Sequence, residues 1–521
     1  MLERIVQTVE QHGLRPALEV GDAQWTYREL WNAAATVAKT VREADLAADV
    51  PVTLFSARQM ETYAALLGTL ISGHPYLPVN LKFPAGRVAR IVDTAESSIY
   101  VVSREFVSLF RVFMDGHNGE VYVITFEQSV ADEVRQLENV TVTVLDLTPV
   151  TKQDASLLLP VDFSRFVYIL FTSGTTGEPK GIPISHGNLN AYLDHILTSY
   201  DIKPEDRCSQ AFDITFDPSV HDIFVTWSAG ACLCPLSQAD LLLPNRFITS
   251  RRLTVWYSVP SIALRMKQVR MLKEGAFPLL RYSIFSGEAL PAHVAESWQA
   301  AAPSSIVVNY YGPTEVTINV TEHCWDPQKS PSIVRNGVVP IGTVFPNSFY
   351  RVVASSGDAC PPGIEGELLV GGPQVSEGYL RDPERSELQF VLHSGDSQVR
   401  WYRTGDRVIE LVDGTLLFLG RVDHQVQIRG YRVEPAEVEE VLRLNRNVVE
   451  AVVLPLVDEG GLAVGLRAWV IAGGDTRTAD LLRECKNKLP VYMVPDRVVL
   501  VPSFPLTVNG KIDRTKLYGV G

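Results

Sequence analysis

The sequence predicts an α/β protein with a large N-terminal domain of mixed and parallel sheets covered by helices, including a β-rich subdomain, and a small α+β C-terminal domain. Length is the first observation, because 521 residues exceed what one hydrophobic core usually spans. Short β-branched runs such as SIYVVS and VYVITF alternate with helix-like segments through the first 340 residues. From about Arg351 the pattern changes to shorter strands broken by turn signals.

These changes of pattern set the expected boundaries. We expect the large domain over 1–421, its β-rich subdomain over about 345–421, and the small domain over 422–521. In the β-rich part, Asp413–Gly414 between apolar runs is a strong hairpin signal. In the small domain, VEPAEVEEVLRLN and TADLLRECKNKL predict helices, and VVEAVVLPLV and LRAWVIAG predict strands.

The composition excludes several classes of protein. An apolar fraction of 46% and a charged fraction of 21% are ordinary for a globular protein, and a net charge of −13 argues against nucleic acid as a partner. The N-terminal segment predicts an amphipathic helix without the cleavage site of a signal peptide, and no apolar run approaches ~18 residues. We therefore expect a cytoplasmic protein without a membrane partner.

The cysteines form no CxxC pair. Buried free thiols in a reducing cytoplasm explain them best, and a metal site is the less favoured interpretation. The six positions are Cys208, Cys232, Cys234, Cys324, Cys360 and Cys485.

The most informative local motif is FTSGTTGEPKGIPISHGNL, from Phe171 to Leu189. The apolar run before it predicts a buried strand that ends at Phe171, and the apolar spacing of Leu189, Tyr192 and Ile196 predicts a helix after it. A strand, a glycine-rich loop and a helix can wrap backbone N–H groups around an oxyanion. The spacing is not that of a Walker loop, and a flexible surface linker is the alternative.

Phosphate is the predicted ligand of this loop. Its hydroxyls add donors, its lysine adds a positive charge, and its glycines let the backbone approach the ligand. The residues concerned are Thr172, Ser173, Gly174, Thr175, Thr176, Gly177 and Lys180.

Further motifs occur along the whole chain in a specific order. WTYREL and LISGHPYLPVN precede the loop; FDPSVHDIF, NYYGPTE, YRTGDR, GRVDHQVQIRGYRVEPAEVE and FPLTVNGKIDR follow it. With this series the sequence resembles the adenylate-forming superfamily of nonribosomal-peptide adenylation domains, acyl-CoA synthetases and luciferases. The resemblance implies that a carboxylate attacks the α-phosphate of ATP, giving an acyl-AMP and pyrophosphate, after which a thiol displaces AMP.

The resemblance also implies a role for each motif. Asn309 would bind the adenine edge and Tyr311 would stack on the ring, while Asp406, helped by Arg421, would accept the ribose hydroxyls. Glu315 would bind Mg²⁺, a cation that prefers oxygen ligands. The full ATP-binding set is Thr172, Ser173, Gly174, Thr175, Thr176, Gly177, Lys180, Ser286, Gly287, Glu288, Asn309, Tyr310, Tyr311, Gly312, Thr314, Asp406 and Arg421.

Catalysis is expected to depend on the small domain. Lys511 in NGKIDR would neutralise the encounter between the substrate carboxylate and the α-phosphate. The resemblance implies that this domain is mobile and rotates about Asp423 between the two half-reactions. Gln427 stands where relatives commonly carry lysine, so the contacts of the second half-reaction depart from the family pattern.

The substrate is expected to be an amino acid, because Asp217 matches the family's partner for the α-ammonium; Asp213 is a rival that would suit a β-amino group. Two tyrosines and a histidine narrow the side-chain pocket that the resemblance implies, and its polar groups could bind a hydroxyl or an amide. A small or modestly polar amino acid is therefore predicted, namely alanine, serine, threonine or proline. The pocket residues are Asp217, Pro218, His221, Tyr257, Ile284, Ser286, Tyr310, Ile318 and Asn319. His221 could equally be a satisfied wall residue.

The acceptor is expected to be the phosphopantetheine thiol of a separate carrier protein, because few residues follow NGKIDR and no carrier attachment site is present. Two alternatives stay open at this point: a CoA ligase for a small acid, and a non-catalytic nucleotide-binding relative. A luciferase-like oxidation is conceivable from the family alone.

Overall fold

The computed structural model describes residues 1–47, 49–117, 119–147, 160–173, 178–393, 396–458, 462–474, 476–505 and 512–519. The chain divides into two compact units. The first comprises Met1–Leu81, Val92–Leu170 and Gly181–Val422, and the second comprises Lys82–Ile91, Phe171–Lys180 and Asp423–Gly521. The predicted hinge role of Asp423 stays a prediction.

Helices and strands alternate along the chain. The described helices are α1 Leu2–His12, α2 Tyr27–Glu43, α3 Met60–Ser72, α4 Ala85–Ala95, α5 Val107–Met114, α6 Gln128–Val134, α7 His186–Ser199, α8 Pro218–Ser228, α9 Pro244–Ser250, α10 Pro260–Gln268, α11 Ala292–Ala301, α12 Pro383–Gln389, α13 Pro435–Arg443, α14 Thr478–Lys488 and α15 Arg514–Leu517. The described strands are β1 Pro16–Val20, β2 Ala23–Thr26, β3 Val52–Phe55, β4 Tyr76–Pro78, β5 Ile99–Val102, β6 Val121–Thr125, β7 Val140–Val144, β8 Phe166–Thr172, β9 Lys180–Ser185, β10 Arg207–Gln210, β11 Cys232–Pro235, β12 Val255–Ser258, β13 Tyr282–Phe285, β14 Ile306–Tyr311, β15 Thr321–Cys324, β16 Thr343–Val344, β17 Phe349–Val353, β18 Glu365–Gly371, β19 Phe390–His393, β20 Asp396–Glu410, β21 Leu416–Arg421, β22 Val426–Ile428, β23 Tyr431–Val433, β24 Val448–Val457, β25 Ala463–Ala472 and β26 Arg497–Leu500.

Two large sheets organise the N-terminal part of the chain. One runs β16-β15-β14-β13-β12-β10-β11-β1-β2 and the other β7-β6-β5-β3-β4-β8-β9. The central pairs of the first sheet, from β1–β11 to β13–β14, are parallel, as are the pairs from β3 to β7 in the second. Parallel strands joined through helices are buried on both faces, which explains the continuous apolar runs in the sequence. The predicted α/β fold class is confirmed.

The β-rich part is an antiparallel sheet of order β17-β18-β20-β19, with β21 paired to β20. The predicted hairpin joins β20 to β21. The Asp413 carboxylate accepts the backbone N–H of Thr415 at 3.0 Å, and Gly414 has φ +82°. A left-handed residue in the turn favours glycine because it has no Cβ.

The second unit contains a three-stranded sheet, β24-β25-β26, and a two-stranded sheet, β22-β23. Its core forms between the three-stranded sheet and helices α13 and α14, with Val438, Val453 and Leu481 fully buried. An ion pair between Arg87 and Glu437 is also buried inside this unit, with both side chains 2% exposed. The described part of this unit has the predicted α+β character.

The loop motif departs from the expected order of elements. The predicted order was strand, loop, helix, but strand β9 follows the loop and α7 begins only after it. Helix α7 carries its own capping box, in which Ser185 and Asn188 each accept the other's backbone N–H. The N–H groups at the start of α7 are therefore not available to the loop's ligand, although the predicted order of elements implied that they would contact it.

Two cysteines also depart from expectation. All six are free thiols, but Cys324 is exposed and Cys360 half-buried rather than buried. Cys324 is the last residue of β15, near the end of the sheet order, where coverage is incomplete. Among the described residues, every helix is too short or too polar to cross a bilayer.

Candidate functional site

Strand β14 presents the two predicted subsites on opposite faces. Successive side chains of a strand point to opposite faces of a sheet, so Asn309 and Tyr311 share one direction and Tyr310 takes the other. Because these are the last three residues of β14, the predicted nucleotide contacts and the predicted amino-acid pocket both adjoin the same end of this strand.

On the first face, an aspartate is held between a phenol and a guanidinium. The Tyr311 hydroxyl donates to Oδ2 of Asp406 at 2.5 Å, and Nη1 of Arg421 donates to Oδ1 at 2.7 Å. The partner strands put Asp406 opposite Arg421 in the β20–β21 ladder. Burial, and next the Asp406 charge, raise the pKa of Tyr311 well above its ordinary value. The Tyr311 hydroxyl therefore stays protonated and orients the carboxylate.

Asn309 is a buried amide with one satisfied half. Its Nδ2 donates to the carbonyl of Pro340 at 2.9 Å, whereas its Oδ1 is buried without a hydrogen-bond partner among the described residues. A buried acceptor left in this state is costly, so it indicates a donor that is supplied by a ligand. The exocyclic amine of adenine is such a donor.

On the other face, five buried polar side chains bond to one another. The Tyr257 hydroxyl lies 2.5 Å from Oγ of Ser286, and Nδ2 of Asn319 donates to the Tyr257 hydroxyl at 3.0 Å. The same amide donates to the Tyr192 hydroxyl at 3.3 Å, which in turn lies 2.6 Å from Nδ1 of His221. The hydroxyl and amide groups predicted to bind a substrate side chain are thus engaged with one another.

Aromatic rings fill the space around this network. The His221 ring lies 4.8 Å from the Tyr257 ring, and Tyr310 packs edge-on against both. Burial lowers the pKa of His221 to about 3, so its imidazole is neutral near pH 7. This aromatic part of the predicted pocket is therefore uncharged near pH 7. Ile284 and Pro218 add apolar surface, and both are buried.

The two candidate partners for the substrate ammonium have different surroundings. Asp213 accepts both the backbone N–H and the hydroxyl of Thr215, at 3.1 and 2.7 Å, in a local turn. Asp217 is 9% exposed and immediately precedes Pro218, the first residue of α8. Burial first, with Asp217 among the nearby charges, raises the pKa of Tyr192 and of Tyr257. Asp217 therefore lies near the polar network, whereas Asp213 serves its own turn.

The segment that follows the 3₁₀ turn Thr314–Val316 has a strained backbone. Thr317 and Ile318 have φ of +57° and +73°, a region that β-branched residues rarely adopt. Gln374 holds the segment: its side-chain Nε2 donates to the backbone carbonyl of Asn319 at 2.8 Å, and its backbone carbonyl accepts the Thr317 hydroxyl at 2.6 Å. The strain turns Ile318 and Asn319 toward the pocket residues.

Glycine is required at one position by close packing and favoured at another by a positive φ. A Cβ on Gly312 would lie 2.5 Å from Cα of Asn319, so only glycine allows the close approach. Gly287 has φ +81° in the turn after β13. In the same turn Glu288 accepts the backbone N–H of Ser261 at 2.8 Å.

Glu315, the predicted magnesium ligand, is fully buried beside Thr314. Its Oε1 accepts the Tyr379 hydroxyl at 3.0 Å. A buried carboxylate oriented by a phenol matches the oxygen donors that Mg²⁺ prefers, so the residue fits the predicted ion.

The predicted residues of the second unit are described only in part. Ser173 donates through Oγ to the carbonyl of Arg432 at 2.9 Å, and Lys180, the first residue of β9, is 9% exposed. Thr172 ends β8, and Gln427 is exposed on β22 opposite Arg432. Asp423 accepts the backbone N–H of Gln425. Gly174, Thr175, Thr176, Gly177 and Lys511 lie outside the described residues.

Three residues that the structure brings to this region had not been predicted from the sequence. Tyr192 bonds to His221 and Asn319, Gln374 holds the strained segment, and Asp222 lies next to His221 on α8. Asp222 is 3% exposed, and burial raises its pKa well above the ordinary value. Only Asp222 had a local signal, since it is a charged residue within the apolar helix PSVHDIFVTW.

Family profiles match most of the chain. The profile described as AMP-binding enzyme matches residues 5–380, and the AMP-binding enzyme C-terminal domain matches residues 437–511. Gramicidin S synthase 2 of Brevibacillus brevis is 32% identical over 95% of this chain, which spans 10% of that protein's length. The D-alanine--D-alanyl carrier protein ligase of Bacillus licheniformis is 28% identical over 94% of this chain and 93% of its own length.

A solved structure is similar over nearly its whole length. The Vibrio cholerae adenylation domain AlmE, in complex with glycyl-adenosine-5'-phosphate, superposes with a TM-score of 0.91 and 31% identity, covering 99% of this chain and 97% of that one. The resemblance predicted from the motifs is confirmed by these matches.

Proposed function

Since the chain belongs to the AMP-binding enzyme family, we propose that it is a ligase that activates a small α-amino acid with ATP and transfers it to the phosphopantetheine thiol of a carrier protein. One observation carries the proposal: strand β14 places Tyr311, bonded to Asp406, on one face, and Tyr310, packed against His221 and Tyr257, on the other. Both residues end β14, so an amino acid in the second pocket would reach a nucleotide at the first past the end of this strand.

The first step joins a substrate carboxylate oxygen to the α-phosphorus of ATP and breaks the bond to pyrophosphate. Asp406 accepts the ribose hydroxyls, and the Asn309 carbonyl oxygen accepts the adenine amine, so the α-phosphate is held in line with the carboxylate. Lys180 and Lys511 supply positive charge to the phosphates and to the developing transition state. Glu315 would hold Mg²⁺, which when bound screens the charge of the phosphate oxygens.

Glycine or alanine fits this pocket best. The hydroxyls of Tyr192, Tyr257 and Ser286 and the Asn319 amide satisfy one another, so a substrate hydroxyl would have to displace an existing bond. The crowded rings also leave little room for a larger side chain. AlmE was solved in complex with glycyl-adenosine-5'-phosphate, and the Bacillus licheniformis ligase is named for D-alanine, so both relatives are associated with an amino acid of this size.

In the second step a thiol attacks the acyl carbonyl and AMP leaves. Both alternative functions give different outcomes in one assay series. A CoA ligase would accept free CoA and tolerate an acid without an amino group, and a non-catalytic relative would bind ATP without exchange. Gln427 on the exposed face of β22 is the position at which the carrier step of this chain departs from the family pattern.

The test is amino-acid-dependent ATP–pyrophosphate exchange with glycine, D- and L-alanine, serine, threonine, proline, phenylalanine, β-alanine and propionate. We expect exchange with glycine or an alanine and none with propionate. Asp217→Asn should abolish exchange, whereas Asp213→Asn, which alters only a local turn, should retain it. Lys511→Ala should also abolish exchange. Equal turnover of propionate and alanine would refute the amino-acid assignment.

A further inference from the structure

A second cluster of polar side chains lies away from the predicted pocket, on one face of the large sheet. In the parallel ladder, Leu18 of β1 is opposite Leu233 of β11, and Arg207 of β10 is opposite Cys232. Because side chains alternate along a strand, Glu19, Cys232 and Cys234 share one face and Leu18 and Leu233 the other. The sheet order therefore brings two thiols and one carboxylate together from strands more than 200 residues apart in sequence.

The three groups are close enough to share one ion. The carboxylate oxygen of Glu19 and the sulfurs of Cys232 and Cys234 all lie within 4.8 Å of one another. Both thiols are buried, with 4% and 0% exposure, and the Glu19 side chain is 13% exposed. Two sulfurs and one oxygen at this spacing match a tetrahedral metal site with three protein ligands.

Two arginines bind the Glu19 carboxylate and supply positive charge beside the three groups. Nη2 of Arg207 donates to Oε2 of Glu19 at 2.5 Å, and Arg251 donates to Oε1. Each carboxylate oxygen has a second lone pair, so the hydrogen bonds orient the ligand without using it up. A divalent ion with two thiolates and a carboxylate carries one excess negative charge, and the neighbouring guanidinium groups more than offset it.

We propose that Glu19, Cys232 and Cys234 form a binding site for a divalent, thiol-preferring metal ion such as Zn²⁺. On binding, each thiol loses its proton to solvent and a sulfur–metal bond forms. The ion joins β1 to β11, so it stabilises the N-terminal strand of the sheet. The site is independent of the proposed catalytic function, since its ligands are outside the residues assigned to ATP or substrate.

The test is titration of the purified, reduced full-length chain with Co²⁺, whose spectrum reports its ligands. We expect one ion per chain, a sulfur-to-metal charge-transfer band and the visible bands of tetrahedral thiolate coordination, all displaced by Zn²⁺. Cys232→Ser and Cys234→Ser should lose these bands, and Glu19→Gln should weaken binding about tenfold. The matched control is Cys208→Ser, a buried thiol opposite Leu233 on the other face, which should bind like the unmodified chain.

A folding defect is separated from a binding defect by a second measurement. Zn²⁺ should protect Cys232 and Cys234, but not Cys324, from alkylation of the unmodified chain, as read by peptide mass spectrometry. Absence of the thiolate bands in the unmodified chain, or their persistence in both serine variants, would overturn the proposal, as would equal alkylation with and without Zn²⁺.

Discussion

The Tyr192 hydroxyl lies 2.6 Å from Nδ1 of His221 and connects helix α7 to helix α8 in the wall of the proposed pocket. The same hydroxyl accepts the Asn319 amide. A neutral imidazole has one donor and one acceptor nitrogen, so the bond to Nδ1 constrains both the orientation and the tautomer of the His221 ring. Tyr192 is therefore a positioning residue for the two pocket side chains that it contacts.

Tyr192→Phe keeps the ring and removes this connection. A buried hydrogen bond of this kind contributes about 1–1.5 kcal/mol, so we expect the KM for the amino acid to rise roughly five- to tenfold with the KM for ATP unchanged. Exchange kinetics measure both constants. Tyr27→Phe is the control, because its buried hydroxyl bonds to the carbonyl of Ala231 outside the pocket. It should lower stability and leave both KM values as they are.

Asp406→Asn should act on the nucleotide instead. The substitution removes the charge that Tyr311 and Arg421 hold in place, and charge-assisted bonds are worth about 2–3 kcal/mol. We expect the KM for ATP to rise about 30- to 100-fold, and Tyr311→Phe to raise it less because the ring that is proposed to stack on adenine remains. Tyr350→Phe removes a comparable tyrosine–carboxylate bond, to Glu410 at 2.9 Å, outside the site. An equal effect of Tyr350→Phe would contradict the assignment of Asp406.

Gln374→Ala tests whether the strained segment shapes the pocket. The side-chain amide contacts three backbone carbonyls around Thr317 and Ile318, so its loss should cost about 1–3 kcal/mol of unfolding free energy. We also expect kcat/KM for the amino acid to fall more than kcat/KM for ATP. Gln299 likewise bonds two backbone carbonyls, those of Ala302 and Ser305, away from the site. Gln299→Ala should therefore affect stability alone.

Local patterns predicted the elements but not the contacts between them. The spacing of Leu189, Tyr192 and Ile196 predicted the buried face of α7, and all three residues are buried. That spacing could not show that Tyr192 meets His221, because the contact joins side chains of two different helices that are 29 residues apart in sequence. Strand β9 was missed because Pro183 cannot donate to a ladder and argues against a central strand; β9 is last in its sheet order, where a proline is tolerated.

Motifs predicted the residues of the nucleotide cluster, but no motif predicted the residues of the thiol cluster. Asp406, Arg421 and Tyr311 stand in separate motifs, and the structure brings them together in one cluster. The cluster of Glu19 with Cys232 and Cys234 had no motif, because it depends on β11 lying next to β1. The Cys-x-Cys spacing on a strand indicates that both thiols share one face, but it does not indicate that Glu19 lies next to them.

Acid should destabilise the folded chain through His221. Burial lowers its pKa to about 3, while the unfolded chain titrates near the ordinary value of 6.5. Below pH 6.5 the unfolded state therefore binds a proton that the folded state refuses, and stability falls as pH falls toward 3. Between pH 7 and pH 5 this costs about 2 kcal/mol of unfolding free energy.

Urea unfolding at the two pH values should show that His221→Gln loses less stability on acidification than the unmodified chain, by about that amount. His186, whose pKa burial lowers to about 4, adds a second contribution of the same sign, which His186→Gln should remove in turn. An unchanged pH dependence in His221→Gln would mean that the imidazole is protonated in the folded state, and the neutral pocket wall would then have to be abandoned.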